Sequence, residues 1–320
     1  MTQFDVFNGD ADGICALHQL RLKHPVVAQL VTGVKRDIRL LRHVNACPGD
    51  SVTVLDVSLD ANRDSLRSLL GHGVNVEYFD HHFSGRIPHA ARLIPHIDTS
   101  ADTCTGLIVN RYLRGENRLW AVVAAYGDNL ADAAHRVATS CGLPHPGEQR
   151  LRELGEAINY NAYGESIVDL IVDPATMYRE IQPFSSPLDF IAASSLPGRL
   201  TLARNEDIDS ALRYAAVQRS PNASAYMLPD AAWSRRVRGE FANLVARREP
   251  SHGHAVLVPR QDGKYVVSVR APVGAPCGAD QLCREFGGSG RLAAAGIDEL
   301  DPSRIDEFVA ALAAVFDDGH

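Results

Sequence analysis

Apolar residues in the first part of the chain come in short runs, and several runs stop at acidic or imidazole side chains. Residues 3–7 predict a first strand, and the Asp10-Ala11-Asp12-Gly13 turn after it opens a helix carrying Ile14, Leu17, Leu20 and Leu22. A second strand is predicted over 26–31, a helical or loop segment over 38–44, and a third strand over 52–57 that feeds a helix near 62–70. The run 74–79 predicts a fourth strand, ending in Asp80-His81-His82. Strands alternating with helical stretches predict an α/β fold with a doubly wound, mostly parallel sheet. Ligands bind such sheets beyond the carboxyl ends of the strands, which is where Asp10, Asp12, Asp56, Asp80 and the two histidines fall.

Helices are predicted over 103–112 and 119–126, the second running into Gly127-Asp128-Asn129. Residues 131–165 read as helical, interrupted by Gly142-Leu143-Pro144-His145-Pro146. Two proline-bearing passages, Pro183–Pro187 and Pro197-Gly198, read as turns. The first domain is therefore placed at 1–190, followed by a linker at 191–220 that holds one helix (203–219), and a second, smaller α/β domain at 221–320. In that domain a strand (223–228) and a helix (231–248) precede two strands (254–259 and 264–270) joined by a turn containing Asp262-Gly263. A helix over 279–286 leads into Gly287-Gly288-Ser289-Gly290-Arg291 and a small-residue strand at 293–297.

Composition narrows the chemistry. A length of 320 residues with 45% apolar content suits two cored domains. No run approaches the roughly 20 apolar residues of a membrane span, and the first residues lack a signal-peptide pattern, so no membrane partner and a cytoplasmic location are expected. The six cysteines form no Cys-x-x-Cys pair and are expected to be reduced. A net charge of −7 argues against bulk capture of nucleic acid, but the charge is uneven. Residues 221–271 carry eight Lys and Arg against four Asp and Glu, and 272–320 carry three against nine. Arg235, Arg236, Arg238, Arg247 and Arg248 on the 231–248 helix are expected on a solvated charged face.

Asp10, Asp12, Asp56, Asp80, His81 and Asp128 form a mixed carboxylate and imidazole set. Carboxylates held together without compensation raise one another's pKa, and divalent cations remove that repulsion. Oxygen ligands with one histidine suit Mn²⁺ or Mg²⁺. A carboxylate bridging two such ions makes a site that generates hydroxide and stabilises the leaving oxygen of a phosphoester. The glycine-rich stretch ending in Arg291 is a second anion-binding candidate, through backbone N–H groups and a guanidinium.

Taken together these residues resemble the DHH phosphoesterase superfamily, in its branch with a DHH domain followed by a DHHA1 domain. Asn8-Gly9-Asp10-Ala11-Asp12-Gly13 is similar to the first motif, Leu55-Asp56 to the second, Asp80-His81-His82 to the third and Gly127-Asp128 to the fourth. Phe286–Gly296 resembles the glycine-rich DHHA1 motif, and Val267-Ser268-Val269-Arg270 the strand before it.

The resemblance implies two divalent cations, Mn²⁺ favoured over Mg²⁺, one held by Asp10 and Asp56 and the other by Asp12, Asp56, His81 and Asp128. It implies His82 against the scissile phosphate, Asp80 orienting the histidines, and Arg270, Gly287, Gly288, Ser289, Gly290 and Arg291 holding a phosphate or chain terminus across an interdomain cleft. Two departures stand out. Val6 occupies a position where some members carry histidine, and Asn8 one where RecJ-type exonucleases carry aspartate, so Asn8 is a weak ligand at best and the first metal is less well held. Arg291 replaces a histidine of the glycine motif, exchanging a titratable donor for a permanent cation.

The implied activity is an exonuclease on single-stranded nucleic acid or short oligonucleotides, 3′→5′ in polarity, releasing mononucleotides. Alternatives are an exopolyphosphatase or pyrophosphatase, a phosphoesterase for a small nucleotide such as a bisphosphonucleoside or cyclic dinucleotide, and a non-catalytic nucleotide sensor. A homodimer is compatible with the resemblance.

Overall fold

The computed structural model describes residues 1–317. The chain divides into two compact units, residues 1–202 and 203–320.

The first unit is built on five strands, β1 (Gln3–Asn8), β2 (Gln29–Gly33), β3 (Ser51–Leu55), β4 (Asn75–Asp80) and β5 (Leu93–Ile97). They pair in the order β2-β1-β3-β4-β5, and every pairing is parallel. The strand order reverses between β1 and β3, which makes that pair the switch point where doubly wound sheets open a crevice. Alternation along the strands sends side chains into two cores. Phe4, Val6, Val52, Val54, Val76 and Tyr78 enter one, and Phe7, Leu55 and Phe79 the other.

The Phe7 side of the sheet is covered by α1 (Ala11–Lys23), whereas α2 (Arg63–Gly71) packs on the opposite side through Leu66 and Leu69. The helix α1 is pinned to the sheet by a fork of hydrogen bonds. Arg21 donates from Nε to Asp5 Oδ2 at 2.8 Å and from Nη2 to Asp5 Oδ1 at 2.5 Å, with Thr53 Oγ1 a further acceptor at 3.0 Å. The helices α3 (Thr105–Tyr112), α4 (Arg118–Gly127), α5 (Ala131–Ser140) and α6 (His145–Ala162) add to the Phe7-side core around the fully buried Trp120.

After them come α7 (Pro174–Ile181), α8 (Pro187–Ala193) and α9 (Leu196–Leu212). The sequence reading placed turns at Pro187 and Pro197 and a helix at 203–219. Instead each of these helices has a proline in its first turn, where the missing N–H is no loss and the fixed φ favours helix entry. The strand β5 escaped the sequence reading because Pro95 interrupts its pattern; it is an edge strand, where proline is tolerated.

The second unit carries a mixed sheet of β6 (Gln218–Arg219), β7 (Ala223–Met227), β8 (Gly253–Pro259), β9 (Tyr265–Arg270), β10 (Ser289–Arg291) and β11 (Ala294–Leu300). The order is β10-β11-β9-β8-β7-β6, and only β7 and β8 run parallel. The helix α10 (Ala232–Arg248) packs on this sheet through Val237, Phe241 and Val245, and α11 (Ala279–Glu285) through Leu282 and Cys283. The sequence reading missed α12 (Ile305–Asp317), whose Phe308, Leu312 and Phe316 recur at helical spacing on one buried face. The arginines of α10 divide: Arg247 and Arg248 are exposed as expected, but two others are not. Arg235 and Arg236 are nearly buried and ion-paired, with Asp230 and Asp207 respectively.

Candidate metal centre

The acidic side chains converge at the carboxyl ends of β1, β3 and β4, three neighbouring strands. Beyond β1, Asp10 caps α1. Its Oδ1 accepts from the backbone N–H of Asp12 and of Gly13, both at 3.0 Å. Within the first turn of α1, Asp12 is aimed at a second helix. Its Oδ2 accepts from Thr105 N–H at 2.8 Å and its Oδ1 from Gly106 N–H at 2.7 Å, so the positive end of α3 faces the cluster. Glycine is required at 106 by close approach, since a Cβ there would stand 2.4 Å from the Ala124 Cβ and 3.1 Å from Asp12 Oδ1.

Directly after β3, Asp56 adopts a left-handed backbone with φ 60°. That conformation costs an L-residue about 1–2 kcal/mol, and Asp and Asn bear it better than most. It is fixed by the Asp56 N–H donating to the Phe79 carbonyl at 3.0 Å, and Thr105 Oγ1 donates to Asp56 Oδ1 at 3.1 Å. Strain at a functional carboxylate is a recurring device for positioning it. The other contributor, Asp128, follows the last turn of α4, an unfavourable place for an anion, and the next residue, Asn129, is also left-handed at φ 61°.

His81 joins these acids. Its Nε2 lies 3.4 Å from Asp56 Oδ1, 3.8 Å from Asp128 Oδ2 and 4.0 Å from Asp12 Oδ2. His82 is held differently. Its Nδ1 is 2.7 Å from Oδ1 of the fully buried Asp80, and 3.9 Å from Asp56 Oδ1. Asp80 is thus an orienting partner for His82, and its other oxygen accepts from Leu59 N–H at 3.4 Å.

Electrostatics mark this as a strained collection of charge. Burial, and then the neighbouring Asp12, Asp10, Asp128 and Asp80 carboxylates, push the Asp56 carboxyl well above its ordinary value. Burial and Asp12 likewise raise Asp128, to about 6. For Asp10 burial also pushes upward, but the Lys35 ammonium and the Gly13 N–H outweigh it and leave the carboxyl below the usual range. For His82 burial pushes downward, yet the Asp80 carboxylate prevails and raises the imidazole. The nearby Cys15 and Cys104 thiols are driven up, first by burial and then by Asp12, so they stay neutral.

The donor set fits a divalent cation. Among the described residues, Asp12, His81 and Asp128 offer ligand atoms within 4.8 Å of one another, and so do Asp56, His81 and His82. Both groups share His81, and together they present carboxylate oxygen with imidazole and no thiolate, a mixture that first-row divalent ions, Mn²⁺ among them, accept.

Three participants escaped the sequence reading. Thr105 and Gly106 orient Asp56 and Asp12 from a helix start nearly 50 residues downstream of the nearer acid. Lys35, in the turn after β2, places Nζ 2.6 Å from Asp10 Oδ2 and 3.8 Å from Asp128 Oδ1. A Thr-Gly pair opening a helix whose N-cap supplies no side-chain oxygen was the available signal for the first two. Nothing local distinguishes Lys35 from a surface lysine.

The glycine-rich stretch in the second unit is built by other means. Gly287 is left-handed at φ 77°; its N–H donates to the Arg284 carbonyl at 3.1 Å and that of Gly288 to the Cys283 carbonyl at 2.7 Å. These bonds close α11 as a Schellman cap, so two of the amides proposed for an anion are taken up by the helix end. The arginines lie in one row. Arg270 on β9 is in register with Ala294 on β11, and Ala294 with Arg291 on β10, so both arginines share a sheet face with a small residue between them. Arg291 is exposed, and Arg270 donates to Asn243 Oδ1 at 2.6 Å. Tyr226 is a core residue, packed edge-on against Phe241 at 5.4 Å between ring centroids.

No family model matches the chain, and no curated protein matches it in sequence. Solved structures do. A RecJ exonuclease bound to manganese aligns over 98% of this chain and 89% of its own, at 19% identity and a TM-score of 0.62. RecJ from Thermus thermophilus, in complex with Mn²⁺, matches at 19% identity and a TM-score of 0.63; the alignment covers 99% of this chain but only 52% of that one. A pGpG-specific phosphodiesterase, PggH, from Vibrio cholerae matches over the whole length of both chains at 12% identity and a TM-score of 0.56. The chain shares the overall fold of these RecJ and PggH structures.

Proposed function

We propose that this chain is a metal-dependent phosphodiesterase that cuts short single-stranded oligonucleotides from an end, releasing mononucleotides. The observation that carries the reading is the convergence of Asp12, Asp56 and Asp128 on His81, drawn from four separate elements, with the spacing of a divalent-cation site. Nothing structural accounts for burying these acids together, since the raised pKa of Asp56 and of Asp128 is a cost to the fold.

Asp12, Asp56, His81 and Asp128 would hold Mn²⁺ or Mg²⁺. A bound divalent cation supplies a nucleophilic oxygen at neutral pH and screens the charge of a phosphoryl group. The chain's own residues do the rest. Thr105 and the α3 amides fix Asp56 and Asp12 by hydrogen bonds to their carboxylate oxygens. Asp80 holds Nδ1 of His82, which leaves Nε2 for the scissile phosphate, as a donor to a non-bridging oxygen or as a proton source for the leaving oxygen. Arg270 and Arg291 offer two permanent positive charges on one sheet face, suited to a further phosphate or a chain terminus.

One feature favours an oligonucleotide over polyphosphate. Phe83, directly after His82, is 75% exposed and presents an aromatic face to which a base can stack. The 3′→5′ polarity rests on the family resemblance. Mn²⁺ with single-stranded DNA and RNA labelled at either end, linear dinucleotides, a bisphosphonucleoside and polyphosphate would test all of this in one panel. Short oligonucleotides should be shortened from the 3′ end. Turnover of polyphosphate alone would replace the substrate assignment, and turnover of none would remove the enzymatic one.

A further inference from the structure

We propose that the Lys35 ammonium permanently occupies the cation position on the Asp10 side of this centre, so that the chain binds one divalent cation where two were expected. The inference rests on the metal-site reading above and concerns how many ions that site accepts.

Lys35 is built into the site from several directions. Its backbone N–H donates to the Ala162 carbonyl at 3.0 Å, and its carbonyl accepts from Asn8 Nδ2 at 3.2 Å. Its Nζ donates to Asn159 Oδ1 at 3.0 Å and sits 2.6 Å from Asp10 Oδ2. An ammonium has three donors; these contacts take two, and the Asp128 carboxylate lies 3.8 Å away, beyond hydrogen-bond reach. The Tyr163 ring centroid, 5.6 Å from Nζ, adds a further favourable contact.

Asp10 is correspondingly used up. Oδ1 accepts two backbone N–H groups and Oδ2 takes Lys35, which fills three of about four acceptor positions on a carboxylate. Neither set of converging ligand atoms found among the described residues includes Asp10. Asn8, the other side chain at this end of β1, is committed as well: its Oδ1 accepts from Asp10 N–H at 3.2 Å while its amide nitrogen holds the Lys35 carbonyl. An uncharged amide at position 8 and a lysine at position 35 therefore form one unit, the first anchoring the turn that delivers the second. A divalent ion coordinated by Asp10 would have to displace that ammonium or sit against it.

The consequence is asymmetric chemistry. A fixed ammonium screens charge and donates to a phosphoryl oxygen, but it cannot bind or activate water. Activation then falls to the side of Asp12, Asp56, His81 and Asp128.

The test is the stoichiometry of Mn²⁺ on the full chain, by calorimetric titration and elemental analysis, with the electron paramagnetic resonance spectrum as a readout independent of activity. Wild type should bind one equivalent with a mononuclear six-line spectrum, and Lys35→Arg should do the same. Lys35→Ala should bind two and show exchange coupling, and so should Lys35→Met, which removes the charge but keeps the bulk of the side chain if the alanine variant loses its fold. Two equivalents in wild type would overturn the inference while leaving the metal site standing. One equivalent in wild type and in both uncharged variants would also overturn it, since Lys35 would not be what limits the count. No binding to wild type would remove the metal-site reading itself.

Discussion

The two candidate sites of this protein are made in opposite ways. In the first unit, acids from β1, β3, β4 and the end of α4 meet through long-range pairing, and each is held by a partner distant in sequence, such as Thr105 on Asp56 or Lys35 on Asp10. In the second unit the glycine-rich stretch is a local construction, a helix cap running into a short hairpin, and its arginines line up because three antiparallel strands are in register. Charge is also handled differently. The first site buries like charges at the expense of stability, whereas the second keeps its positive charge near solvent. A buried, strained cluster should therefore fail abruptly when altered, and a surface row gradually.

The sharpest break is expected at Asp56. Asn tolerates the left-handed backbone, so Asp56→Asn should fold, yet Mn²⁺-dependent hydrolysis should drop by about a thousandfold or more, several kcal/mol of transition-state stabilisation. Its metal-free melting temperature should be no lower than that of wild type, because a repelled buried charge is gone. A large loss of stability would mean that Asp56 serves the fold. Next is Thr105→Val, which keeps the shape and removes the donor to Asp56. Mn²⁺ affinity should fall by roughly 10–100-fold, the usual effect of losing a ligand's orienting partner, as titration calorimetry would show. In the second unit Arg291→Ala should raise KM by on the order of tenfold with kcat little changed and Mn²⁺ affinity unaltered, the loss of one charge-assisted contact. A fall in kcat instead would place Arg291 among the groups that act on the reacting phosphate.

Smaller effects separate the sites further. The carboxyl of Asp128 is raised to about 6 in the folded chain, above the unfolded value of about 3.9. Its contribution to stability is therefore fully present below about pH 3.9 and lost as pH rises through about 6. The raised Asp56 acts in the same direction. The metal-free protein should melt at a temperature several degrees lower at pH 7.5 than at pH 5, by roughly the shift that a kcal/mol or two produces. Added Mn²⁺ should raise the melting temperature more at about pH 7.5, because near pH 5 protons compete for the same oxygens. A pH-independent melt would mean that the acids are not mutually strained. The mildest change is Gly287→Ala, whose new methyl meets nothing within 4 Å and suffers only from the backbone at φ 77°. The second unit should lose about 1–2 kcal/mol in a denaturant melt, with Mn²⁺ binding untouched.

These differences also explain what could be read from the sequence. Residue types at strand ends suffice to nominate Asp10, Asp12, Asp56 and His81, because a doubly wound sheet brings strand ends together whatever else the chain does; Asp128, at the end of a helix, is nominated by the resemblance of Gly127-Asp128 to a family motif. The same logic cannot nominate Lys35, whose role depends on where one turn lands against Asn159 of a helix more than a hundred residues later. Nor does it reveal that Asp10 is occupied by its own helix and by that lysine. Pro187 and Pro197 misled because proline stops a helix in its interior and starts one in its first turn, and local sequence alone leaves both open. The glycines at 287 and 288 suggested an anion nest, but a helix end makes the same demand on the backbone, and here it uses their amides.

The account stands or falls on whether the gathered acids perform metal-dependent chemistry on a phosphodiester. The direct measurement is mononucleotide release from a short end-labelled oligonucleotide by wild type and Asp56→Asn, each with Mn²⁺ and with excess chelator. Release should occur only for wild type with Mn²⁺. Equal release by folded Asp56→Asn, or release that persists in chelator, would contradict it.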